Sequence, residues 1–256
     1  MQLNYKSFGE GYPLIILHGL FGTLDNWQTI AKKLATQFSV YIVDQRNHGR
    51  SPHDDAFSYP TLADDLQEFM EQQWIYEAHI LGHSMGGKTA MQFALNYPDL
   101  VNKLVVVDIA PKLYAAGHEA IFKALLSVDF TKVQSRKDVD KWISTSITDV
   151  GIRQFLLKNL TRTKTSGYEW KMNLAAIHKN YPNILAAIDS EETFDGTSLF
   201  IRGGESDYIE DADWPMIKGL FSQAKLATVE KAGHWVHAAA PTELLDLVND
   251  FLLKSA

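Results

Sequence analysis

Short apolar runs recur along this chain in a rhythm that suits one kind of sheet. Residues 14–17, 40–43, 79–81, 104–107, 199–201 and 226–229 are rich in Val, Ile and Leu; the first four end at a Gly, His or Asp, and the fifth reaches Gly203 one residue later. A strand apolar on both faces is a strand covered on both faces. Between the early runs lie amphipathic stretches at 27–38, 61–74 and 85–96, with helical spacing. Strand, helix and strand repeated this way predict a parallel sheet with right-handed crossovers. The rhythm breaks between residues 112 and 195. There, segments 120–126, 139–147, 152–160, 170–178 and 184–188 read as helices, and no run reads as a strand. It resumes at 199 and closes with a helix over 241–253. A helical insertion inside such a sheet is expected to form a lid over the strand ends, where these sheets place ligands.

Composition narrows the chemistry. Of 256 residues 46% are hydrophobic and 21% charged, a soluble globular balance, and the net charge is −7. An acidic chain has no bulk attraction for nucleic acid or an anionic membrane. There is no cysteine, so disulfides, thiolate metal sites and a cysteine nucleophile are all excluded. No apolar run is long enough to span a bilayer, and no secretory leader follows Met1. The expectation is a cytoplasmic protein without membrane insertion.

The sharpest local signal is Gly82-His83-Ser84-Met85-Gly86-Gly87, which follows a predicted strand and opens a predicted helix. Gly-x-Ser-x-Gly in that setting is a nucleophile elbow, a tight turn that exposes the serine hydroxyl. A hydroxyl is a weak nucleophile at neutral pH and needs a base. Of nine histidines, His234 in Ala232-Gly233-His234-Trp235-Val236-His237 lies just past the last predicted strand. His18 and His83 read as structural hydrogen-bonders. His237 is three residues from His234, but no third ligand follows at a recognised spacing, so no metal is expected. An imidazole base needs a carboxylate to fix its tautomer. Asp108 and Asp207 each follow a predicted strand between Ser84 and His234, and spacing alone does not choose between them.

Attack on a carbonyl puts negative charge on its oxygen, so amide donors must be in place beforehand. The Met85 N–H after the nucleophile and the Leu20 N–H in His18-Gly19-Leu20-Phe21-Gly22 are the expected pair, each such donor contributing roughly 10²- to 10³-fold. In Asp44-Gln45-Arg46-Asn47-His48-Gly49, the expected role is structural, with Asp44 and Arg46 satisfying the loop and each other. No phosphate loop or dinucleotide fingerprint occurs, so no cofactor is expected.

Together these residues resemble the α/β-hydrolase superfamily over nearly the whole chain. The strings from His18 to Trp27, Asp44 to Gly49, Gly82 to Lys88, Val107 to Pro111 and Ala232 to Ala238 are similar to the YbfF-type bacterial esterases, which are related to eukaryotic abhydrolase-domain-containing proteins. The resemblance implies an α/β fold with a mostly parallel central sheet flanked by helices and a helical cap inserted after the sixth strand. Residues 1–111 and 196–256 would form the core, and 112–195 the cap. It also implies Asp108 as the acid, Ser206 as a fourth member supporting the histidine, and Tyr208 beside the substrate. Where that subfamily carries a substrate-anchoring cap arginine, this chain reads Ala116-Gly117-His118.

The expected substrate is a small-molecule acyl ester, with Phe21, Trp142, Phe155, Trp170 and Tyr208 as candidate apolar walls. Between residues 131 and 171 nine Lys or Arg stand against four acids, a surplus of five, while the rest of the chain carries −12. A basic lid over an acidic body would steer an anionic leaving group, such as that of an acyl-CoA thioester, toward the cleft. A serine nucleophile argues against dehalogenase or epoxide hydrolase chemistry, which proceeds through a carboxylate. A C–C hydrolase, a perhydrolase or a non-catalytic ligand sensor would carry the same residues. Sequence does not decide between a monomer and a homodimer.

Overall fold

The computed structural model describes residues 1–165 and 167–254. Among the described residues nine strands occur in chain order: β1 (Tyr5–Phe8), β2 (Tyr12–Leu17), β3 (Phe38–Val43), β4 (Ala78–His83), β5 (Val101–Val107), β6 (Leu160–Arg162), β7 (Tyr168–Trp170), β8 (Ser198–Gly203) and β9 (Ala224–Val229). Seven form one sheet in the order β1-β3-β2-β4-β5-β8-β9. Only β1 runs antiparallel; every other neighbouring pair in that sheet is parallel.

Each of the six apolar runs lies inside one of these parallel strands. The pleat sends successive side chains to opposite faces. Ile15 and Leu17 therefore join an apolar cluster with α2 (Tyr59–Gln72) and α3 (Met85–Asn96). Leu14 and Ile16 join a second cluster with α1 (Gln28–Leu34) and the C-terminal helix Pro241–Leu253. Covered on both sides, the inner strands have no polar face, which is why they read as continuous runs; β9, at the far edge, leaves Lys225 exposed. By contrast β1 is a short edge strand with Tyr5, Lys6 and Ser7 exposed, and nothing apolar announces it.

The insertion leaves the sheet after β5, the fifth strand in the chain's own count and not the sixth, because one antiparallel strand, β1, is all that precedes β2. It carries α4 (Glu119–Leu126), α5 (Arg136–Ile143), α6 (Val150–Leu156), α7 (Leu174–Lys179) and α8 (Tyr181–Leu185). Between α6 and α7 the expected helices give way to a β6–β7 antiparallel hairpin that pairs Leu160 with Trp170. Over so few residues the apolar positions 160, 168 and 170 fit period two as well as a helix, and pairing decides. The insertion's apolar residues, among them Val139, Ile143, Leu156 and Ile177, merge into the α2–α3 cluster. After β8 the chain completes α9 (Trp214–Leu220), α10 (Val236–Ala239) and α11 (Pro241–Leu253).

Candidate active site

Four neighbouring strand ends deliver the polar groups. Ser84 and Asp108 extend the ladder one residue past β4 and β5: Ser84 N–H donates to Val107 O (3.0 Å), and Asp108 N–H donates to Ile201 O (2.8 Å). Both then turn away with positive φ, +53° and +52°. Such a conformation costs a non-glycine residue about 1–3 kcal/mol and persists only where its surroundings enforce it. At the elbow the enforcement is close packing. A Cβ on Gly82 would stand 2.1 Å from Gly86 O, and one on Gly86 would stand 2.4 Å from Leu17 O. Only glycines let the strand, turn and helix approach this closely.

The loops after β8 and β9 bring Ser206 and His234 to the same place. His234 Nε2 accepts from Ser84 Oγ (3.0 Å), and His234 Nδ1 donates to Asp108 Oδ2 (2.8 Å). Ser206 Oγ donates to that same Oδ2, and Gly203 N–H donates to Oδ1 (2.9 Å). Asp108 is fully buried, so each of these donors replaces water that the carboxylate has lost. His83 Nε2 donates to His234 O (2.8 Å), which ties the histidine loop to the elbow. The Tyr208 ring stacks on the His234 ring, centroids 3.7 Å apart. Asp207 lies exposed, outside this array.

The expected oxyanion donors, Met85 and Leu20, line the same cavity as Ser84. Met85 is the first residue of α3, so its N–H has no acceptor within the helix. Leu20 sits in a tight turn closed by Gly22 N–H donating to Gly19 O (2.9 Å), and its own N–H has no acceptor among the described residues. The next amide is occupied, since Phe21 N–H donates to His48 Nε2 (3.2 Å).

Sequence reasoning left His48 among loop-structural residues and missed this anchor. It also paired Arg46 with Asp44. Instead Arg46 Nη2 donates to Asp65 Oδ1 (2.7 Å), while Asp44 accepts the backbone N–H groups of Leu24 and Arg50. Burial holds the His48 imidazole down to about 3 and that of His18 to about 4, with the adjacent His18 as a secondary cause for His48. Both rings donate through Nδ1 to a carbonyl and accept an N–H through Nε2, a pattern available only to neutral imidazole.

Ser84, His234 and Leu20 open onto a cavity walled by Phe21, Ile121, Ile152, Phe155, Leu156 and Ile184. Tyr208 and His118 line it as well. His118 Nδ1 lies 2.6 Å from Tyr181 OH, and burial pushes its pKa below the ordinary histidine range. Trp142 and Trp170 are not walls of this cavity. Each is turned into the insertion, where Trp142 Nε1 donates to Ser127 Oγ (3.2 Å) and Trp170 Nε1 to Leu125 O (3.1 Å). An indole spaced for one helix face meets whatever that face packs on, and here it is the insertion's own helices. Among the described residues, no group of three or more His, Asp or Glu is placed to hold a metal ion, and no helix is long and apolar enough to cross a membrane.

Known proteins resemble this chain over most of its length. Residues 12–241 match the family described as alpha/beta hydrolase fold. The sn-1-specific diacylglycerol lipase ABHD11 of Mus musculus is 39% identical over 247 residues, covering 93% of this chain and 80% of its own length. Esterase YbfF of Escherichia coli (strain K12) is 35% identical over 241 residues, covering 94% and 92%. A solved structure, "Marine microorganism esterase", superposes with a TM-score of 0.96 at 45% identity, covering 98% of this chain and 99% of that one. With strand ends, elbow and relatives in agreement, the chain belongs to the alpha/beta hydrolase fold family, alongside esterases and lipases.

Proposed function

We propose that this chain is a serine hydrolase that cleaves carboxylic esters through an acyl-enzyme on Ser84. The observation that carries the reading is the continuous relay from Ser84 Oγ through His234 to buried Asp108, opening on an apolar cavity. Ser84 Oγ attacks the acyl carbonyl while His234 Nε2 takes its proton, and Asp108 stabilises the imidazolium through Nδ1. The Leu20 and Met85 amides receive the oxyanion. Collapse breaks the bond to the leaving oxygen, which takes that proton from His234 and departs as the alcohol. Water, deprotonated by the same imidazole, then releases the acid and restores Ser84. Phe21, Phe155 and Tyr208 wall the acyl chain.

Labelling with a fluorophosphonate tests this. Wild type should label at Ser84, and Ser84→Ala should neither label nor turn over p-nitrophenyl esters. A folded wild type that stays unlabelled would make the chain a ligand-binding protein instead. A panel of esters, vinylogous diketones and peracid-forming substrates separates ester cleavage from C–C hydrolase and perhydrolase chemistry on the same residues.

Thioesters are a second reading: a groove edged by exposed Lys158, and by Asp149 as well, shares Asn26, Ile152, Phe155, Trp235 and His237 with the cavity and gives a long leaving group a path out of it. Not all of the basic surplus is free to act there, since Arg136 donates to Leu157 O and Arg153 pairs with Asp140. For an acyl-CoA, kcat/KM should fall as ionic strength rises while a neutral ester stays flat. Equal responses remove the thioester reading.

A further inference from the structure

The turn that carries the second oxyanion donor is held from two sides. Gly19 to Gly22 form a β-turn in which Phe21, the third residue, has φ +58° while Leu20 does not. That is the sign pattern of a type II turn, whose third position favours glycine. A phenylalanine there relaxes unless the peptides on either side of it are fixed. His48 fixes one by accepting the Phe21 N–H. The other is fixed from the insertion, because Asn159 Nδ2 donates to the Phe21 carbonyl (2.6 Å).

Asn159 is fully buried, and its backbone is locked to the hairpin by Lys171 N–H donating to Asn159 O (2.8 Å). Its amide has one available orientation. Nδ2 faces two carbonyl oxygens, those of Phe21 and Leu156, so Oδ1 cannot take its place. Oδ1 is buried with no hydrogen-bond partner. Burying a polar atom unpaired is unfavourable, so packing alone gives no reason for an asparagine here. The donor end gives that reason.

We propose that Asn159 is a positioning residue for the oxyanion hole: it grips Phe21 from the insertion and thereby holds the Leu20 N–H where the oxyanion forms. The inference rests on Ser84 being the nucleophile. Seating the insertion on the core and completing the oxyanion site are then one event. Among the described residues, Asn159 is the insertion residue that hydrogen-bonds to this turn; the other asparagine links dock elsewhere, with Asn173 on Asn47, Asn180 on Asp55 and Asn183 on Phe57.

The test compares Asn159→Leu with Asn180→Leu, which loses the docking bond to Asp55 O and touches neither the turn nor its two anchors. Asn159→Leu should lower kcat roughly 10- to 100-fold, short of deleting an oxyanion donor outright, with KM within about 3-fold. A boronic acid, which forms a tetrahedral adduct on the serine, should lose affinity in step with kcat/KM, while a carboxylic acid product binds as before. Asn180→Leu should move neither quantity more than about 3-fold. Asn159→Ser, too short to reach Phe21 and adding no bulk, carries the same expectation should the leucine fail to fold. Equal losses in the two asparagine variants, or unchanged boronic acid affinity, overturn the proposal while the ester-hydrolase reading stands. A wild type that neither labels with fluorophosphonate nor depends on Ser84 overturns both.

Discussion

The two halves of the cavity are built on opposite plans. The core half is made of strand ends: β4, β5, β8 and β9 each release one polar residue, and each of these is hydrogen-bonded to a group on a neighbouring loop. Ser84 and Asp108 hold strained backbone that only a rigid sheet enforces. The cap half is made of helices of five to eight residues and one short hairpin, joined to the core by apolar packing on the α2–α3 cluster and by scattered polar links. Asn180 Nδ2 donates to Asp55 O, and Tyr59 OH donates to Ile184 O. Lys88, buried in α3, donates to carbonyls of Lys112 and Ala186 at the two stems of the insertion. Reacting groups need placement within a fraction of an ångström, and the sheet supplies it. Walls that select a substrate tolerate looser support, and the insertion supplies those.

The comparison breaks first at the acid. If chemistry belongs to the strand ends, Asp108→Asn should lower kcat by about 10⁴, because an amide imposes the wrong histidine tautomer. Asp207→Asn, one loop away and exposed, should change kcat by less than about 3-fold. Steady-state kinetics on a p-nitrophenyl ester ranks the two, and the reverse order would move the acid off the buried strand end.

The core half was also the half that could be read beforehand. Its strands announced themselves because burial on both faces leaves apolar runs, and the elbow because its glycines answer a contact no side chain survives. Spacing could not choose between Asp108 and Asp207, since both follow strands; in the fold Asp108 is buried and accepts from His234, Ser206 and Gly203, while Asp207 lies exposed. In the cap half, the hairpin was hidden by its brevity, and Trp142 looked like a wall because helical spacing says that a face is buried, not against what. Asn159 gave no signal at all. Its part depends on a contact to Phe21, 138 positions away, that no local pattern encodes.

A subtler contrast separates the two anchors of the oxyanion turn: the core anchor titrates and the cap anchor does not. His48 accepts the Phe21 N–H only when neutral, and burial lowers its pKa from 6.5 to about 3. Between pH 6.5 and 3 the unfolded chain therefore binds more protons at this residue than the native one. Stability from this group is complete above pH 6.5 and falls as pH drops toward 3. At pH 5 the loss is about 2 kcal/mol. Urea unfolding of His48→Gln should accordingly show a shallower decline from pH 7 to pH 5 than wild type. Asn159→Ser should keep the wild-type slope. Parallel slopes for wild type and His48→Gln would mean that the core anchor is not what acid releases.

The smallest effects test whether aromatic residues of the insertion divide into walls and filling. Phe155 lines the cavity and packs near Trp235, centroids 6.2 Å apart, whereas Trp142 is half-buried against its own module. Phe155→Ala removes apolar surface that a bound acyl chain would cover. It should lower kcat/KM for a long-chain ester about 10-fold, mostly through KM, and leave an acetyl ester nearly unchanged. Trp142→Phe keeps the ring and loses the bond to Ser127, a change of about 1 kcal/mol in stability. It should shift the thermal midpoint by a few degrees and leave kcat/KM within about 2-fold at every chain length. The discriminating quantity is the slope of kcat/KM against acyl length. A slope altered by Trp142→Phe and untouched by Phe155→Ala would put the acyl chain among the insertion's helices instead of between the insertion and the sheet.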